Sequence, residues 1–421
     1  MKKRLIGTAV LSVATIAALT FNTTTQSDAK AATSLNNEKA KNVILFVGDG
    51  MGTDHRDAIR LATVGTNGKL AMDDMPVEGR VHTSSGSSFV TDSAAAATAI
   101  ASGVKSYNGA VGVNMKGKPV QTVLEKAKLS GKATGLVTTS QVTDATPAAF
   151  GAHVSNRSAQ SDIAKQYLEN SKVDVILGGG EDYWYPAGSP GSYPDAPPED
   201  KEEGSKGTKG NLVNKAQKLG YTYVDNANEL KYAKGQKVLG LFANEEMFQQ
   251  APEGEGDVYN PTVSLRDMTK KAIDTLSQNK KGFFLVVEEE GIDEMAHNNN
   301  ASLTIKAGQQ LDDTVKMAKK YAKTHPDTLV LVTADHSTGG LSLETTDKTD
   351  KNDESGDGVS KEDGPFNIAN SKEQFMVDWT TEGHTASDVP LNAMGAKSEL
   401  FNGVYENTYI HDALVKAMKL K

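Results

Sequence analysis

The sequence predicts an α/β fold, a three-layer sandwich in which helices flank a mostly parallel central sheet. Short apolar runs rich in β-branched residues alternate with helical patterns, which is the order expected of parallel strands joined by helices. With 38% hydrophobic and 24% charged residues, the 421-residue chain has a globular composition. Its length suits one large domain with insertions.

The apolar runs and the helical patterns place the elements along the chain. Strands are predicted at residues 42–47, 134–138, 173–177, 237–241, 283–287 and 328–333. Helices are predicted at 121–128, 262–276 and 302–323. The second helix follows Pro261, a residue type favoured at the first helical position, and the third stops before Pro326.

Two segments have the composition of surface-loop insertions. Residues 186–210 are rich in Pro, Gly, Ser and charge, which indicates a long loop. A second insertion is predicted at about 340–380. Within it, residues 345–364 are highly charged and almost without apolar side chains, which favours a solvated loop. A calcium-binding or partner-binding loop is the alternative.

The first 31 residues have the pattern of a signal peptide. Basic residues at positions 2–4 precede a mostly apolar stretch, and Ala29-Lys30-Ala31 is an A-x-A cleavage pattern. We therefore expect residues 32–421 to form a single domain, secreted or retained at the cell surface or wall of a bacterium. An uncleaved membrane anchor is the alternative. No later stretch is apolar enough to span a bilayer.

Charge and cysteine content narrow the function. The predicted signal peptide carries four basic residues and one acidic residue, so its removal would change the net charge from −9 to −12. Such an acidic chain is unsuited to nucleic acid as a dedicated partner. The chain has no cysteine. It is therefore disulfide-free, and any transition-metal site must use His, Asp and Glu.

Acids and histidines follow four of the predicted strands. Asp49 comes after the first strand, Asp144 and Thr146 after the second, and Glu288 with Asp293 and His297 after the fifth; Asp335 and His336 follow the sixth. The carboxyl ends of parallel strands meet at one edge of the sheet, where ligands bind. The carboxylates of Asp49, Glu288, Asp293 and Asp335 would repel one another in such a cluster, so bound divalent cations are expected.

The ligand types suggest which cations these are. Asp293 and His297 are four residues apart, so a helical turn would place them on one face, and His384 could complete a zinc site with them. Asp335 and His336 with Asp49 could form a second mixed set. Glu288 and the Thr146 hydroxyl are oxygen ligands that suit magnesium.

Ser93 is the candidate nucleophile. It stands at the start of an alanine-rich helical run, where free backbone N–H groups favour anionic oxygen. The alternative is that Asp92 or Ser93 merely caps the helix. A serine beside a zinc ion would need no histidine base, because the metal can stabilise the alkoxide.

Six motifs from residue 41 onward resemble the alkaline phosphatase family. They are VGDGMG at 47–52, TDSAAAATA at 91–99, DATPAAFGAHVSNR at 144–157, VEEEGIDEMAH at 287–297, VTADHSTGG at 332–340 and GHT at 383–385. Their order and spacing agree with the family. The resemblance implies hydrolysis of small phosphate monoesters with two Zn²⁺ and one Mg²⁺ per chain.

The same resemblance assigns roles to individual residues. Ser93 would become phosphorylated, and Arg157 would grip two phosphate oxygens. The first zinc site would comprise Asp293, His297 and His384, and the second Asp49, Asp335 and His336; magnesium would lie among Asp49, Thr146 and Glu288. Asp92, Asp144 and His153 would stand behind these ligands. At position 294 this chain has a glutamate, whereas some members of the family have a basic residue there.

The sequence leaves alternatives to this function. A phosphodiesterase of the same superfamily is the nearest alternative. A secreted metal-binding protein without catalysis is less consistent, because every matched position holds a chemically competent residue. Sulfatases are disfavoured because Ser93 is followed by a run of four alanines. A homodimer is left open.

Overall fold

The computed structural model describes residues 39–197, 201–248, 259–346 and 361–421. The predicted signal peptide lies outside these residues. The strands are β1 (Asn42–Gly48), β2 (Val77–His82), β3 (Ala133–Gln141), β4 (Val175–Gly179), β5 (Thr222–Val224), β6 (Val238–Leu241), β7 (Phe283–Glu289), β8 (Thr328–Thr333), β9 (Ser337–Thr338), β10 (Ser342–Thr345), β11 (Lys361–Asn367), β12 (Gln374–Trp379), β13 (His384–Thr385), β14 (Val389–Gly395) and β15 (Gly403–Glu406).

Ten of these strands form one sheet, in the order β15-β2-β14-β8-β1-β7-β3-β4-β6-β5. Strand β1 pairs in parallel with both β7 and β8, and β3 pairs in parallel with β7 and β4. Only β14 runs antiparallel to its neighbours in this sheet within the described residues. The prediction of a mostly parallel central sheet is confirmed.

Eleven α-helices connect the strands in the described part of the chain. They are α1 (Thr53–Val64), α2 (Ser93–Ser102), α3 (Val123–Leu129), α4 (Ala145–Gly151), α5 (Gln160–Glu169), α6 (Leu212–Lys218), α7 (Ala227–Tyr232), α8 (Leu265–Leu276), α9 (Gly291–His297), α10 (Ala301–Thr324) and α11 (Thr408–Met418).

Helices cover the sheet on both faces. Every residue of β1, β3, β7 and β8 is buried, so side chains pointing to either face are shielded from water. Helix α10 packs on β8, β1 and β7, and it also contacts α1 and α8. Helices α2, α3, α4 and α11 form a second packed group, from which α3 and α4 contact β3 and β7. The predicted three-layer α/β sandwich is confirmed.

The structure corrects some predicted boundaries. Helix α8 does not begin at Pro261: its N-cap is Ser264, whose hydroxyl accepts a hydrogen bond from the Asp267 N–H at 3.1 Å. The Ser264 side chain satisfies one of the free N–H groups of the first turn, which proline at position 261 cannot do. Strand β7 continues to Glu289, so Glu288 lies within the strand and pairs in register with Thr138.

The second insertion contains more structure than the sequence predicts. Strands β10, β12 and β11 form a small antiparallel sheet, in that order. Thus the two ends of the segment 345–364 belong to strands, where a loop was expected, because Phe366 and its neighbours bring apolar side chains to one face. Residues 347–360 lie outside the described residues.

None of the helices in the described ranges combines the length and the apolar composition needed to cross a bilayer.

Candidate active site

The predicted site residues lie at the carboxyl edge of the central strands. Asp49 directly follows β1, and Asp335 follows β8 by two residues. Glu288 is near the end of β7, and Asp144 is the N-cap of α4 beyond β3. These four strands are neighbours in the sheet, so their ends place the acids side by side.

One group of potential metal ligands comprises Asp293, His297 and His384. Helix α9 carries the first two on one face, and His297 Nε2 is 3.1 Å from Asp293 Oδ2. His384 Nε2 is 3.1 Å from His297 Nε2 and 3.8 Å from Asp293 Oδ2. All three residues offer ligand atoms within 4.8 Å of one another, a spacing that suits one metal ion.

His384 reaches this group through a short strand pair. Strand β13 pairs antiparallel with β9, in register His384↔Thr338. The ring of His384 stacks on that of His336, with centroids 3.6 Å apart. Its Nδ1 is 2.9 Å from the Thr91 carbonyl oxygen, a contact that points Nε2 into the cluster.

The second group lies around the buried His336 ring. His336 Nε2 is 3.1 Å from Asp335 Oδ2 and 3.5 Å from Asp49 Oδ1. Asp335 Oδ1 accepts hydrogen bonds from the backbone N–H groups of His336 and Gly50, at 2.8 and 3.2 Å. These bonds hold one carboxylate oxygen and leave the other turned towards the histidine.

Glu288 and Thr146 lie beside Asp49. The Thr146 hydroxyl is 3.4 Å from Asp49 Oδ2, and the Thr138 hydroxyl donates to Glu288 Oε2 at 2.6 Å. Asp49 Oδ1, Asp335 Oδ2 and Glu288 Oε1 are buried, and none accepts a hydrogen bond within the described residues, although His336 Nε2 lies close to the first two. Buried oxygens in this state require a cation or a proton. The donor set therefore fits metal ions.

The pKa shifts of the clustered carboxylates indicate that this cluster is electrostatically unfavourable in the metal-free chain. Burial, followed by repulsion from Asp335 and Asp293, raises the pKa of Asp49 well above its usual value. Burial also raises the pKa of Glu288. Although burial opposes it, hydrogen bonding with His297 and His384 holds the pKa of Asp293 well below its usual value.

Ser93 is the first residue of α2 and is almost completely buried. Its hydroxyl oxygen is 3.2 Å from His336 Nε2, so the helix N-terminus faces the second group of ligands. Asp92 caps the helix, because its side chain accepts a hydrogen bond from the Ala95 N–H at 3.0 Å. The capping role thus belongs to Asp92, and the Ser93 hydroxyl stays directed at His336.

Arg157 contacts two acids, one of which is Asp92, the residue before Ser93. Its Nη2 donates to both Asp144 carboxylate oxygens at 2.9 Å, and its Nη1 is 3.8 Å from Asp92 Oδ2. Attraction by Asp144 is the main factor that raises the pKa of the guanidinium. One third of the side chain is exposed, which leaves other N–H groups accessible to an anion.

His153 is not among the ligand groups. Its Nδ1 is 2.7 Å from the Gly112 carbonyl oxygen, and its Nε2 is 2.9 Å from Glu125 Oε1. Both ring nitrogens are therefore engaged in structural contacts. Of the histidines outside the motifs, His82 pairs with Asp388 and His325 stacks on Tyr321.

The sequence did not single out Thr338, which links both ligand groups. Its buried hydroxyl donates to Asp293 Oδ1 and is 3.3 Å from His336 Nδ1. The only sequence signal was its position in the VTADHSTGG motif. Similarly, the Glu382 carbonyl accepts from His297 Nδ1, a contact that no side-chain pattern could predict.

Comparisons with known proteins agree on one family. The family model described as "Alkaline phosphatase" matches residues 40–353 and 343–420. Alkaline phosphatase 4 of Bacillus subtilis (strain 168) is 33% identical over 477 residues, covering 100% of this chain and 97% of the relative.

Solved structures give the same answer. The alkaline phosphatase of the Antarctic bacterium TAB5 has a TM-score of 0.72 and 31% identity, covering 91% of this chain and 99% of that one. A mutant of it with Mg bound in the M3 site has a TM-score of 0.70 and 30% identity, with the same coverage. This chain belongs to the alkaline phosphatase family and is a metal-dependent phosphate monoester hydrolase.

Proposed function

We propose that this enzyme hydrolyses small phosphate monoesters by two successive displacements, with Ser93 as the nucleophile. The observation that carries the proposal is the Ser93 hydroxyl at a helix N-terminus, 3.2 Å from His336 Nε2 and beside buried, unpartnered carboxylate oxygens. A hydroxyl in this position meets backbone N–H groups and the cations that the cluster requires.

The proposed cofactors are two Zn²⁺ and one Mg²⁺ per chain. Asp293, His297 and His384 would hold the first zinc ion, and Asp49, Asp335 and His336 the second. Asp49, Thr146 and Glu288 would hold magnesium, in keeping with the TAB5 mutant that contains Mg in its M3 site. When bound, these ions would supply positive charge that stabilises oxyanions during phosphoryl transfer.

The protein's own residues would carry both steps. Ser93 Oγ attacks phosphorus, a Ser93 Oγ–P bond forms, and the ester P–O bond breaks to release the alcohol. Water then attacks the phosphoserine, the P–O bond to Ser93 breaks, and inorganic phosphate leaves. Throughout, Arg157 would bind two phosphate oxygens through N–H groups that Asp144 orients from behind.

We also propose that the enzyme acts outside the cell. Residues 1–31 would direct secretion and be removed, leaving residues 32–421 as a single domain outside the cell or attached to its surface. The chain has no cysteine and would therefore fold there without disulfides. A homodimer is compatible with this arrangement.

The test combines metal removal with trapping of the intermediate. Hydrolysis of p-nitrophenyl phosphate should disappear with EDTA and return with zinc plus magnesium, and elemental analysis should give a zinc-to-magnesium ratio near two. Mass spectrometry after an acid quench should find phosphate on the peptide that contains Ser93. In Ser93→Ala, activity should fall on the order of 10⁴-fold or more.

Ser102→Ala is the matched control for this variant. Ser102 ends the same helix, and its hydroxyl donates to the Thr98 carbonyl oxygen at 2.7 Å, far along the axis from the ligand groups. It should retain most of the activity. Full activity in Ser93→Ala, or phosphate on another residue, would refute the nucleophile assignment.

A further inference from the structure

A lysine-lined cavity of about 380 Å³ lies at the edge of the sheet opposite the active site. Lys41 immediately precedes β1, Lys132 precedes β3, and Lys280 and Lys281 come just before β7. Because these strands are parallel, their amino ends meet at one edge, as their carboxyl ends meet at the other. Lys419, which follows α11, also lines this lysine pocket, as does Lys39.

All charged side chains that line the lysine pocket are lysines. Six lysines line it together with Ser130, Met418 and Leu420, and the described residues contribute no acidic or aromatic side chain to the lining. One of these lysines is paired with an acid, because Asp327 Oδ2 is 3.9 Å from Lys41 Nζ. The neighbourhood therefore carries a local charge of about +5, on a chain whose net charge is −9.

One lysine belongs to the frame of the pocket. Lys132 is buried, and its ammonium group donates to the carbonyl oxygens of Lys41 and Lys281, at 2.6 and 3.0 Å. Burial, and then the charges of Lys39 and Lys41, lower the pKa of Lys132 to about 8. The buried ammonium group of Lys132 thus lies where the charges of Lys39 and Lys41 repel it.

The other ammonium groups are available to a ligand. Lys39, Lys280, Lys281 and Lys419 are exposed, and none forms an ion pair within the described residues. Several uncompensated cations around one cavity repel one another, so an anion that bridges them would relieve this repulsion. At physiological ionic strength the attraction acts over about 8 Å, so the acidic remainder of the surface weakens it little.

We propose that the lysine pocket binds a linear phosphate polymer without bases, such as polyphosphate or a polyol-phosphate chain. A single phosphate ion would neutralise only about two of the charges, whereas consecutive phosphates on one chain would meet several lysines together. Lysines are point charges on flexible stems, which suit repeated phosphates better than one fixed geometry. Without aromatic side chains, the pocket lacks the stacking surface that single-stranded nucleic acids use.

This inference is independent of the proposed catalytic mechanism, because the pocket and the active site lie at opposite edges of the sheet. The experiment measures fluorescence anisotropy of dye-labelled poly(glycerol phosphate) and, separately, of dye-labelled polyphosphate. Each is titrated with the full-length, metal-loaded enzyme in excess MgCl₂ over a series of NaCl concentrations. The two probes distinguish the phosphodiester from the phosphoanhydride polymer.

The test variant changes the four exposed lysines of the pocket to glutamine: Lys39→Gln, Lys280→Gln, Lys281→Gln and Lys419→Gln together. The matched control carries Lys116→Gln, Lys218→Gln, Lys306→Gln and Lys372→Gln, four exposed lysines that are not in the pocket and make no ion pair in the described part of the chain. Both variants lose the same charge, and both should keep wild-type hydrolysis of p-nitrophenyl phosphate.

The wild type should bind at least one of the two polymers with a strong salt dependence. The pocket variant should bind it at least about tenfold more weakly, with the slope of log K against log[NaCl] reduced by about 3. The control should stay within about threefold of the wild type. Equal weakening in both variants would overturn the proposal. So would equally effective displacement by inorganic phosphate or by a single-stranded oligonucleotide at the same total phosphate concentration.

Discussion

The Ser93 hydroxyl oxygen lies 3.2 Å from Nε2 of His336, although the two residues are 243 positions apart in the chain. Ser93 is oriented by the first turn of α2, and His336 by the loop after β8. The contact joins a helix N-terminus to a group of metal-type ligands. It is the arrangement on which the catalytic assignments depend.

Arg157 should be irreplaceable by lysine. The two bonds between its Nη2 and Asp144 fix the plane of the guanidinium, and lysine cannot present two N–H groups in that plane. In Arg157→Lys, we expect kcat/KM to fall by about 30- to 150-fold, which corresponds to about 2 to 3 kcal/mol. Steady-state kinetics with p-nitrophenyl phosphate measures this, with Arg266→Lys as an exposed control. Wild-type kcat/KM in Arg157→Lys would contradict the assignment.

Removal of the metal ions should destabilise the fold, and more so at alkaline pH. Burial raises the pKa values of Asp49 and Glu288 in the bare chain. The folded bare chain therefore keeps protons that the unfolded chain releases above about pH 4, and its stability falls as pH rises. Bound cations would replace those protons.

Thermal unfolding of the metal-free and metal-loaded enzyme at pH 6 and pH 9 measures this effect. The difference in Tm between the two forms should be larger at pH 9. A metal-ion concentration of about 100 times Kd should add about 3 kcal/mol to the free energy of unfolding. A gap that narrows with pH would speak against a carboxylate cluster that depends on cations.

Thr338 should act as a positioning residue for the ligand groups. Its hydroxyl bonds to Asp293 and lies 3.3 Å from His336 Nδ1, and valine has nearly the same shape without a donor. Thr338→Val should therefore lower zinc affinity by about 10- to 100-fold. Zinc retained after dialysis against a graded chelator series measures it, and added zinc should restore part of the activity.

Thr324→Val, which changes an exposed threonine at the end of α10, is the control for Thr338→Val. If the two variants retain equal amounts of zinc, Thr338 has no positioning role.

Asp182 should limit stability at high pH. Its side chain is buried beside Glu203. Burial raises the pKa of Asp182, and the neighbouring Glu203 raises it further. Because the pKa is higher in the folded state, the wild type loses stability as pH rises above about 4. In Asp182→Asn, the amide could donate to Glu203 at any pH.

Asp182→Asn should therefore gain stability over the wild type as pH increases from 6 to 10, by on the order of 1 to 3 kcal/mol at the upper end. Denaturant unfolding at both pH values measures the difference. Asp313→Asn, which removes an exposed carboxylate, should show no such trend. A difference that is constant with pH would mean that Asp182 is ionised in the folded enzyme.

The sequence by itself determined the fold class and which strand ends carry acids, because both follow from local patterns. Buried parallel strands need continuous apolar runs, and the residues that follow them must turn at the sheet edge. The observed β1 and β8 therefore begin where the apolar runs predict. Helix α8 was misplaced at its start because capping by Ser264 is decided by a single hydrogen bond.

Only the tertiary structure decided which distant residues meet. His384 joins Asp293 because β13 pairs with β9, and Thr338 contacts two ligands because of the same pairing. The lysine pocket likewise exists because parallel strands bring separate lysines to one edge. Hydrophobic periodicity along the chain indicates whether an element is a helix or a strand and which of its faces is buried. Strand order and register, which result from packing of the whole sheet, set the distances between residues that are hundreds of positions apart.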